Sequence, residues 1–209
     1  MSRGGLRWLG IVFVVAGLAV LGWVGWQYVG TGITSGKAME ELENDLRRQW
    51  KPEVKPAAKP GLGQPVALVR IPAFGADWEK PIVQGVREDD LAKGVGHYPD
   101  TQLPGEIGNF AVAAHRVTHG SPFRKLLRLN AGDEVIVETR DAIYTYVLDT
   151  SPRDLTVKPA AGWVLQPVPG KPSVKPTKAM ITLTTCQDLF RSPDRSVAFG
   201  HLAKTVKKR

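Results

Sequence analysis

The sequence predicts a closed β-barrel of about eight strands with a few short helices, carried behind an N-terminal transmembrane helix. Two observations predict the barrel: short apolar or alternating runs recur from Val66 onward, and glycine- and proline-rich turns separate them. A third observation, the almost uninterrupted apolar segment 8–29, predicts the membrane helix. About 140 residues remain for the folded domain, which is enough to enclose a core.

The apolar N-terminal segment is long enough to cross the hydrocarbon core of a bilayer. No small-residue cleavage site of the Ala-x-Ala type follows it, so we expect an uncleaved anchor at 8–30. Arg3 and Arg7 precede the segment, which favours a cytoplasmic N-terminus, residues 1–7, with the bulk of the chain outside the cell membrane. Aromatic residues typical of a membrane interface stand at its far end: Trp23, Trp26 and Tyr28.

Residues 31–65 are expected to form a stalk and a linker. The stretch 37–50 has helical composition and an i,i+4 charge pair, Glu43 with Arg47. It offers little apolar surface, so we expect a helix that contributes no core residues. Residues 51–65 alternate proline with lysine, alanine and glycine, which is typical of an extended spacer. The folded domain is then 66–209, ending in a short basic tail.

Within this domain, apolar or alternating runs between turn residues predict the strands. They are 66–71, 80–86, 109–115, 133–139, 143–149, 179–185 and 196–202. The fourth and fifth form a hairpin around 140–142. Short helices are predicted at 89–94, between an acidic cap and a glycine, and at 122–127, which begins with proline. Residues 94–108 are predicted to be a loop, and 163–176 a proline-rich loop with one strand at 163–165.

Composition narrows the functional classes. The net charge of +8 suits an anionic neighbour such as lipid head groups or cell wall, although a scattered basic surface also serves solubility alone. No zinc-finger spacing, aromatic-basic pattern or basic helix indicates binding to nucleic acid. The single cysteine excludes an intramolecular disulfide. The histidines and acidic residues lack the spacing of zinc or calcium sites, so no metal or other cofactor is expected.

Three reactive side chains stand at the ends of predicted strands: His115, Cys186 and Arg195. A thiolate attacks carbonyl carbon, an imidazole moves protons, and a guanidinium holds a developing oxyanion. Each has a plain alternative: a buried thiol, a structural histidine, and a surface ion pair of Arg195 with Asp188 or Asp194. Together they predict a cysteine acyl-transfer site.

Residues 66–202 resemble the sortases, and most of all the class E sortases of actinobacteria. Residues 182–186 read Thr-Leu-Thr-Thr-Cys, similar to the family's TLxTC motif, and Arg195 lies at the family's spacing after the cysteine. His115 with the following Gly-Ser-Pro-Phe at 120–123 resembles the family's histidine-bearing strand end. The loop before that strand, 96–109, is also similar.

The resemblance implies a membrane-bound cysteine transpeptidase. Cys186 would attack the Thr–Gly bond of an LAxTG- or LPxTG-like sorting signal near the C-terminus of a secreted protein. His115 would manage the protons, and Arg195 would hold the oxyanion or the signal's backbone. An amine of the peptidoglycan precursor, on a diaminopimelate cross-bridge, would then take the acyl group from the thioester. The candidate substrate contacts are Tyr98, His119, Thr184 and Thr185.

Two other functions stay open from the sequence. One is a wall-active cysteine transpeptidase of the L,D type, but its Ser-x-Gly-Cys-x-Arg segment does not match the Leu-Thr-Thr before Cys186. The other is a membrane-tethered binding or scaffold module on the same barrel, against which stands the presence of all three reactive side chains. Departures from the class E pattern at Ala114, His119 and 187–188 bear on substrate preference and loop shape.

Overall fold

A computed structural model describes residues 3–26, 30–54, 60–186 and 194–208. Within these ranges the helices are α1 (Arg3–Gly25), α2 (Thr31–Gln49) and α3 (Glu88–Leu91). The strands are β1 (Pro65–Arg70), β2 (Glu79–Gln84), β3 (Val95–His97), β4 (Gly108–Ala113), β5 (Glu134–Glu138), β6 (Ala142–Leu148), β7 (Thr156–Val157), β8 (Ala179–Cys186) and β9 (Arg195–Lys207). Short 3-10 helices lie at Pro72–Phe74, Leu126–Arg128 and Gly162–Leu165.

Eight of the strands close into the predicted barrel. Their order is β6-β5-β1-β2-β3-β4-β8-β9, and a pairing of β6 with β9 joins the two ends. The β2–β3 and β4–β8 pairs are parallel and the others antiparallel. The ninth strand, β7, pairs with the start of β9. Closure leaves no long free edge among the eight strands, so the expected fold class is confirmed.

The barrel interior is a single apolar cluster of side chains that alternate inward along the strands. Its fully buried members include Ile82, Phe110, Phe123, Val137, Tyr146, Ile181 and Leu183. A second, smaller cluster lies under the long loop between β7 and β8 and contains Val157, Val164 and Val197. Strand β4 is therefore buried along its whole length, and it carries one end of the candidate site rigidly.

Several elements differ from the sequence predictions. The helix expected at 122–127 is a run of turns that ends in the 3-10 helix Leu126–Arg128. Strand β3 lies in the predicted loop 94–108, and β7 was not predicted, because strands of three and two residues show no periodicity. Residues 163–165 belong to a 3-10 helix and not to a strand, since they pack as a short cap over the smaller cluster. Strand β9 continues through the basic tail, where Lys204 and Lys207 pair with β6.

Helix α1 is exposed along its apolar length. Its stretch Arg7–Gly25 is, among the described residues, the one helix long and apolar enough to cross a membrane. Trp23 and Trp26 are exposed, as an interfacial belt requires, and Tyr28 lies outside the described residues. By length and composition, α1 is a candidate membrane span.

Helix α2 packs on the barrel, which corrects the expectation of a helix without core residues. Ser35, Met39 and Leu46 are buried on one face. Arg47 forms an ion pair with Glu79 of β2, which fixes the C-terminal half of the helix. Composition missed this docking because two apolar residues seven positions apart are a sparse stripe, and the remaining contacts use small residues and charges.

Candidate active site

The register of two strand pairs determines where the three predicted reactive residues lie. Strands β8 and β9 are antiparallel, and Cys186 at the end of β8 is paired with Arg195 at the start of β9. Strand β4 runs parallel to β8 on its other side, with Ala113 level with Thr184. Continuing this register by two residues places His115 level with Cys186. One edge of the barrel therefore carries all three positions.

Hydrogen bonds extend the β4–β8 pairing beyond the end of β4 and hold this edge together. The amide of Ala114 donates to the carbonyl of Thr184 at 3.3 Å. The hydroxyl of Thr185 donates to the carbonyl of Ala114 at 2.7 Å. Because Thr185 is fully buried, this bond is shielded from water and fixes the backbone on either side of it. The residue before His115 is thus tied directly to the residue before Cys186.

His115 is partly buried and leaves one ring nitrogen without a partner. Its Nε2 is inaccessible to solvent and makes no hydrogen bond within the described ranges. The ring stacks on His119, with centroids 4.6 Å apart and planes inclined by 25°. Burial, aided by repulsion from His119, lowers the pKa of His115 to about 4. The imidazole is neutral at pH 7, and a buried polar atom of this kind is typical of a functional site.

Arg195 belongs to a row of polar groups that help to line a small pocket. Its Nη1 donates to the hydroxyl of Tyr98 at 3.4 Å, and that hydroxyl lies 3.3 Å from the hydroxyl of Thr184. The pocket has a volume of about 90 Å³. Besides these three residues, its walls are mostly apolar and come from the end of β7 and the loop that follows it: Val157, Ala161, Val164 and Leu165 among others.

A family model described as the sortase domain matches residues 69–203. The chain belongs to the sortase family. Sortase SrtE1 of Streptomyces coelicolor is 32% identical over 95% of this chain, which spans 57% of that protein's length. Sortase SrtE2 of the same organism is 28% identical over 95% of the chain and 82% of its own length.

Solved sortase E structures share the fold. Sortase E from Streptomyces avermitilis is 38% identical, with a TM-score of 0.63 over 70% of this chain and 93% of that one. Sortase E1 from Streptomyces coelicolor, solved with a tripeptide in its active site, is 34% identical, with a TM-score of 0.60 over 69% of this chain and 91% of that one. The predicted resemblance to class E sortases is confirmed.

The four predicted substrate contacts of this sortase lie in three different settings. Tyr98 and Thr184 line the pocket beside Arg195. The hydroxyl of Thr185 is used within the sheet, so it does not face the pocket. His119 stacks on His115, and its backbone has a left-handed conformation.

One residue that the sequence did not single out supports the pocket wall of the sortase. Asn109, fully buried in β4, donates from Nδ2 to the carbonyls of Val164 at 3.0 Å and Gln166 at 3.1 Å. Its Oδ1 accepts a bond of 2.7 Å from the hydroxyl of Thr182. These bonds attach the loop to the strand that leads to His115. The one sign of this role in the sequence is that Asn109 is a polar residue within an apolar run.

Proposed function

We propose that this sortase is a membrane-anchored cysteine transpeptidase that cleaves an LAxTG- or LPxTG-like sorting signal between threonine and glycine. The acyl group then passes to an amine of the cell-wall precursor. The observation that carries the proposal is the register that places Cys186 opposite Arg195 and level with His115. Thiol, imidazole and guanidinium are the three groups that thioacyl transfer requires.

The neutral state of His115 supports its role as the proton carrier. Its open Nε2 accepts the proton as the Cys186 sulfur bonds to the threonine carbonyl carbon. When the tetrahedral intermediate collapses, the C–N bond breaks, and the same proton passes to the departing glycine amine. In the second half the acceptor amine attacks the thioester, its proton goes to His115, and the released thiolate recovers that proton.

Arg195 is suited to stabilise charge and not to transfer protons. Its guanidinium stays protonated, so it acts as a fixed donor toward the oxyanion of the tetrahedral intermediate. The bond from Nη1 to Tyr98 orients the group and leaves its other N–H groups for the substrate. Thr184 supports Tyr98 in turn, so two of the predicted substrate contacts act on the orientation of Arg195.

The pocket beside Arg195 suits a small aliphatic side chain of the signal. Its volume of about 90 Å³ is room for several water molecules and therefore for a small side chain. Apolar walls and a guanidinium in the lining fit an aliphatic side chain whose backbone carbonyl faces Arg195. The tripeptide in the active site of sortase E1 from Streptomyces coelicolor supports binding of an extended peptide in this region.

Membrane attachment through α1 completes the proposal. Arg7 begins the apolar stretch, which favours a cytoplasmic N-terminus and a catalytic domain on the outer face. In this orientation the enzyme meets secreted proteins as they leave the membrane, together with wall precursors on the same surface. The basic character of the chain suits that anionic environment.

A ligation assay on the full chain tests this function. The protein in detergent micelles is incubated with an LAxTG peptide and diaminopimelate, and products and protein are analysed by mass spectrometry. We expect a ligated product, release of the glycine end, and a thioacyl adduct on Cys186, all absent from Cys186→Ala. A chain that forms no adduct with LAxTG or LPxTG peptides would be a binding module. An adduct formed only with a wall stem peptide would indicate an L,D-type reaction.

A further inference from the structure

We propose that helix α2 positions the active-site histidine: its first three turns hold the backbone turn 119–121, and that turn keeps the ring of His119 against His115. Met39 and Thr31 would then be positioning residues of the enzyme, although neither lies near the reacting bond. The inference rests on the proposed function, since it assigns a support for the same site.

The turn that carries His119 has an unusual backbone. His119 and Ser121 have φ of +53° and +49°, and within the described ranges they are the only residues other than glycine with positive φ. Gly120 between them has φ of +72°. Two side-chain-bearing residues in the left-handed region are unfavourable by themselves, so the surrounding contacts must impose this conformation.

Helix α2 supplies contacts of that kind. The amide of His119 donates to the hydroxyl of Thr31 at 3.4 Å. A Cβ on Gly120 would lie 3.5 Å from the terminal methyl of Met39 and 4.0 Å from Cβ of Ser35. Met39 and Ser35 are 4% and 3% exposed, so the helix packs closely where it faces the turn.

The other end of the helix is fixed to the barrel, which makes α2 a rigid support. Beyond the Arg47–Glu79 ion pair, Arg140 donates to the carbonyl of Gln49 at 2.7 Å. The ammonium of Lys208 lies 4.2 Å from the centre of the Trp50 ring. A helix held at both ends restrains the turn more strongly than a stalk attached only to the membrane anchor.

Two contacts connect His115 with the turn and with the residues that follow it. The His119 ring covers the His115 ring, and the amide of Phe123 donates to the carbonyl of His115 at 3.0 Å. If the turn relaxes toward ordinary backbone angles, His119 moves off the ring and His115 gains rotational freedom. A displacement of this kind affects the transfer step more than the binding of the signal.

The test compares three variants of the full chain in detergent micelles. Met39→Ala removes the contact with the turn, Met39→Leu restores its bulk, and Ile33→Ala truncates an exposed residue of the same helix. Two quantities are measured: kcat and KM for ligation of an LAxTG peptide, and the rate at which diethylpyrocarbonate modifies His115. We expect Met39→Ala to lower kcat about tenfold with KM within about twofold. It should also speed modification, while Met39→Leu and Ile33→Ala match the wild type.

The proposal is overturned if Met39→Ala equals Ile33→Ala in both kcat and modification rate. Should Met39→Ala fail to fold, Thr31→Val replaces it, since that change keeps the size of the side chain and removes the hydroxyl that accepts from His119. Faster modification of His115 is expected, and an unchanged rate overturns the proposal. If the wild-type chain does not ligate the peptide, the proposed function fails, and the modification rates still decide whether α2 shields His115.

Discussion

His97 and His115 are both withdrawn from solvent, but their ring nitrogens have opposite surroundings. His97 on β3 is 1% exposed, with Nδ1 2.7 Å from the side-chain amide of Gln84 and Nε2 3.0 Å from the carbonyl of Gln102. His115 leaves Nε2 without any partner in the described structure. Burial lowers the pKa of both rings, so burial alone does not distinguish them.

The two histidines differ in whether their ring nitrogens have hydrogen-bond partners, which distinguishes the structural His97 from His115, the proposed catalytic histidine. Nδ1 of His97 faces the acceptor Oε1 of Gln84, and Nε2 faces the carbonyl of Gln102 and lies 3.1 Å from the hydroxyl of Thr101. Every position on that ring is in use, and the ring ties β2 to the loop before β4. The unpaired nitrogen of His115 costs stability and is available for proton transfer.

Replacing His115 is the strongest test of this distinction. We expect His115→Gln to lower kcat/KM for ligation by about 10² to 10⁴-fold, because it removes the proton carrier. Its thermal unfolding midpoint should stay close to that of the wild type, since no hydrogen bond of Nε2 is lost. Peptide ligation and differential scanning fluorimetry measure the two effects. A His115→Gln enzyme that keeps more than a tenth of wild-type activity contradicts the assigned role.

Arg195→Lys tests the charge-stabilising partner. Lysine keeps the charge but loses the planar fork and the bond from Nη1 to Tyr98. Loss of one such donor raises the barrier by about 2.7–4 kcal/mol, so we expect kcat to fall by about 10² to 10³-fold. Arg124→Lys, an exposed change elsewhere, is the matched control and should leave kcat unchanged. An Arg195→Lys enzyme with near wild-type kcat would remove the oxyanion role.

The sequence alone was sufficient to predict those strands of the site that are long apolar runs, together with the residues next to them. Strands β4, β8 and β9 are runs of six or more residues, and the three proposed reactive residues lie at or just beyond their ends. Their chemical types limit the roles of His115, Cys186 and Arg195, and the closed barrel followed from the number and spacing of the runs. These features are local, so a single sequence shows them.

Other features depend on contacts between distant segments, and the sequence did not show them. Asn109 bonds to backbone carbonyls more than fifty residues away, which no residue pattern encodes. His97 was expected on a solvated loop, because the three-residue strand β3 has no pattern of its own and forms only by pairing with β2 and β4. Helix α2 docks through two apolar residues, a small residue and an ion pair.

For His97→Phe we expect the opposite of His115→Gln: lower stability and nearly unchanged activity. The ring volume is kept, but the carbonyl of Gln102 and the side-chain oxygen Oε1 of Gln84 lose a buried partner, which costs about 1–3 kcal/mol of unfolding free energy. Urea unfolding measures the loss, and kcat should change by less than about twofold. The matched control is His201→Gln, at a half-exposed histidine paired with Asp149, which should change stability by less than about 1 kcal/mol. A stable but inactive His97→Phe would break the comparison.

The dependence of stability on pH gives the smallest and most specific effect. The pKa of His115 is about 4 in the folded chain and close to 6.5 when unfolded, so between these values the unfolded chain binds more protons. The free energy of unfolding therefore keeps its full value, as far as His115 affects it, above pH 6.5, and this part is lost as the pH falls toward 4. His97 acts in the same direction, because burial lowers its pKa too. Urea unfolding at several pH values should show a shallower decline for His115→Gln than for the wild type. Identical slopes would mean that His115 is solvated in the folded chain, in which case its unpaired nitrogen would no longer set it apart from His97.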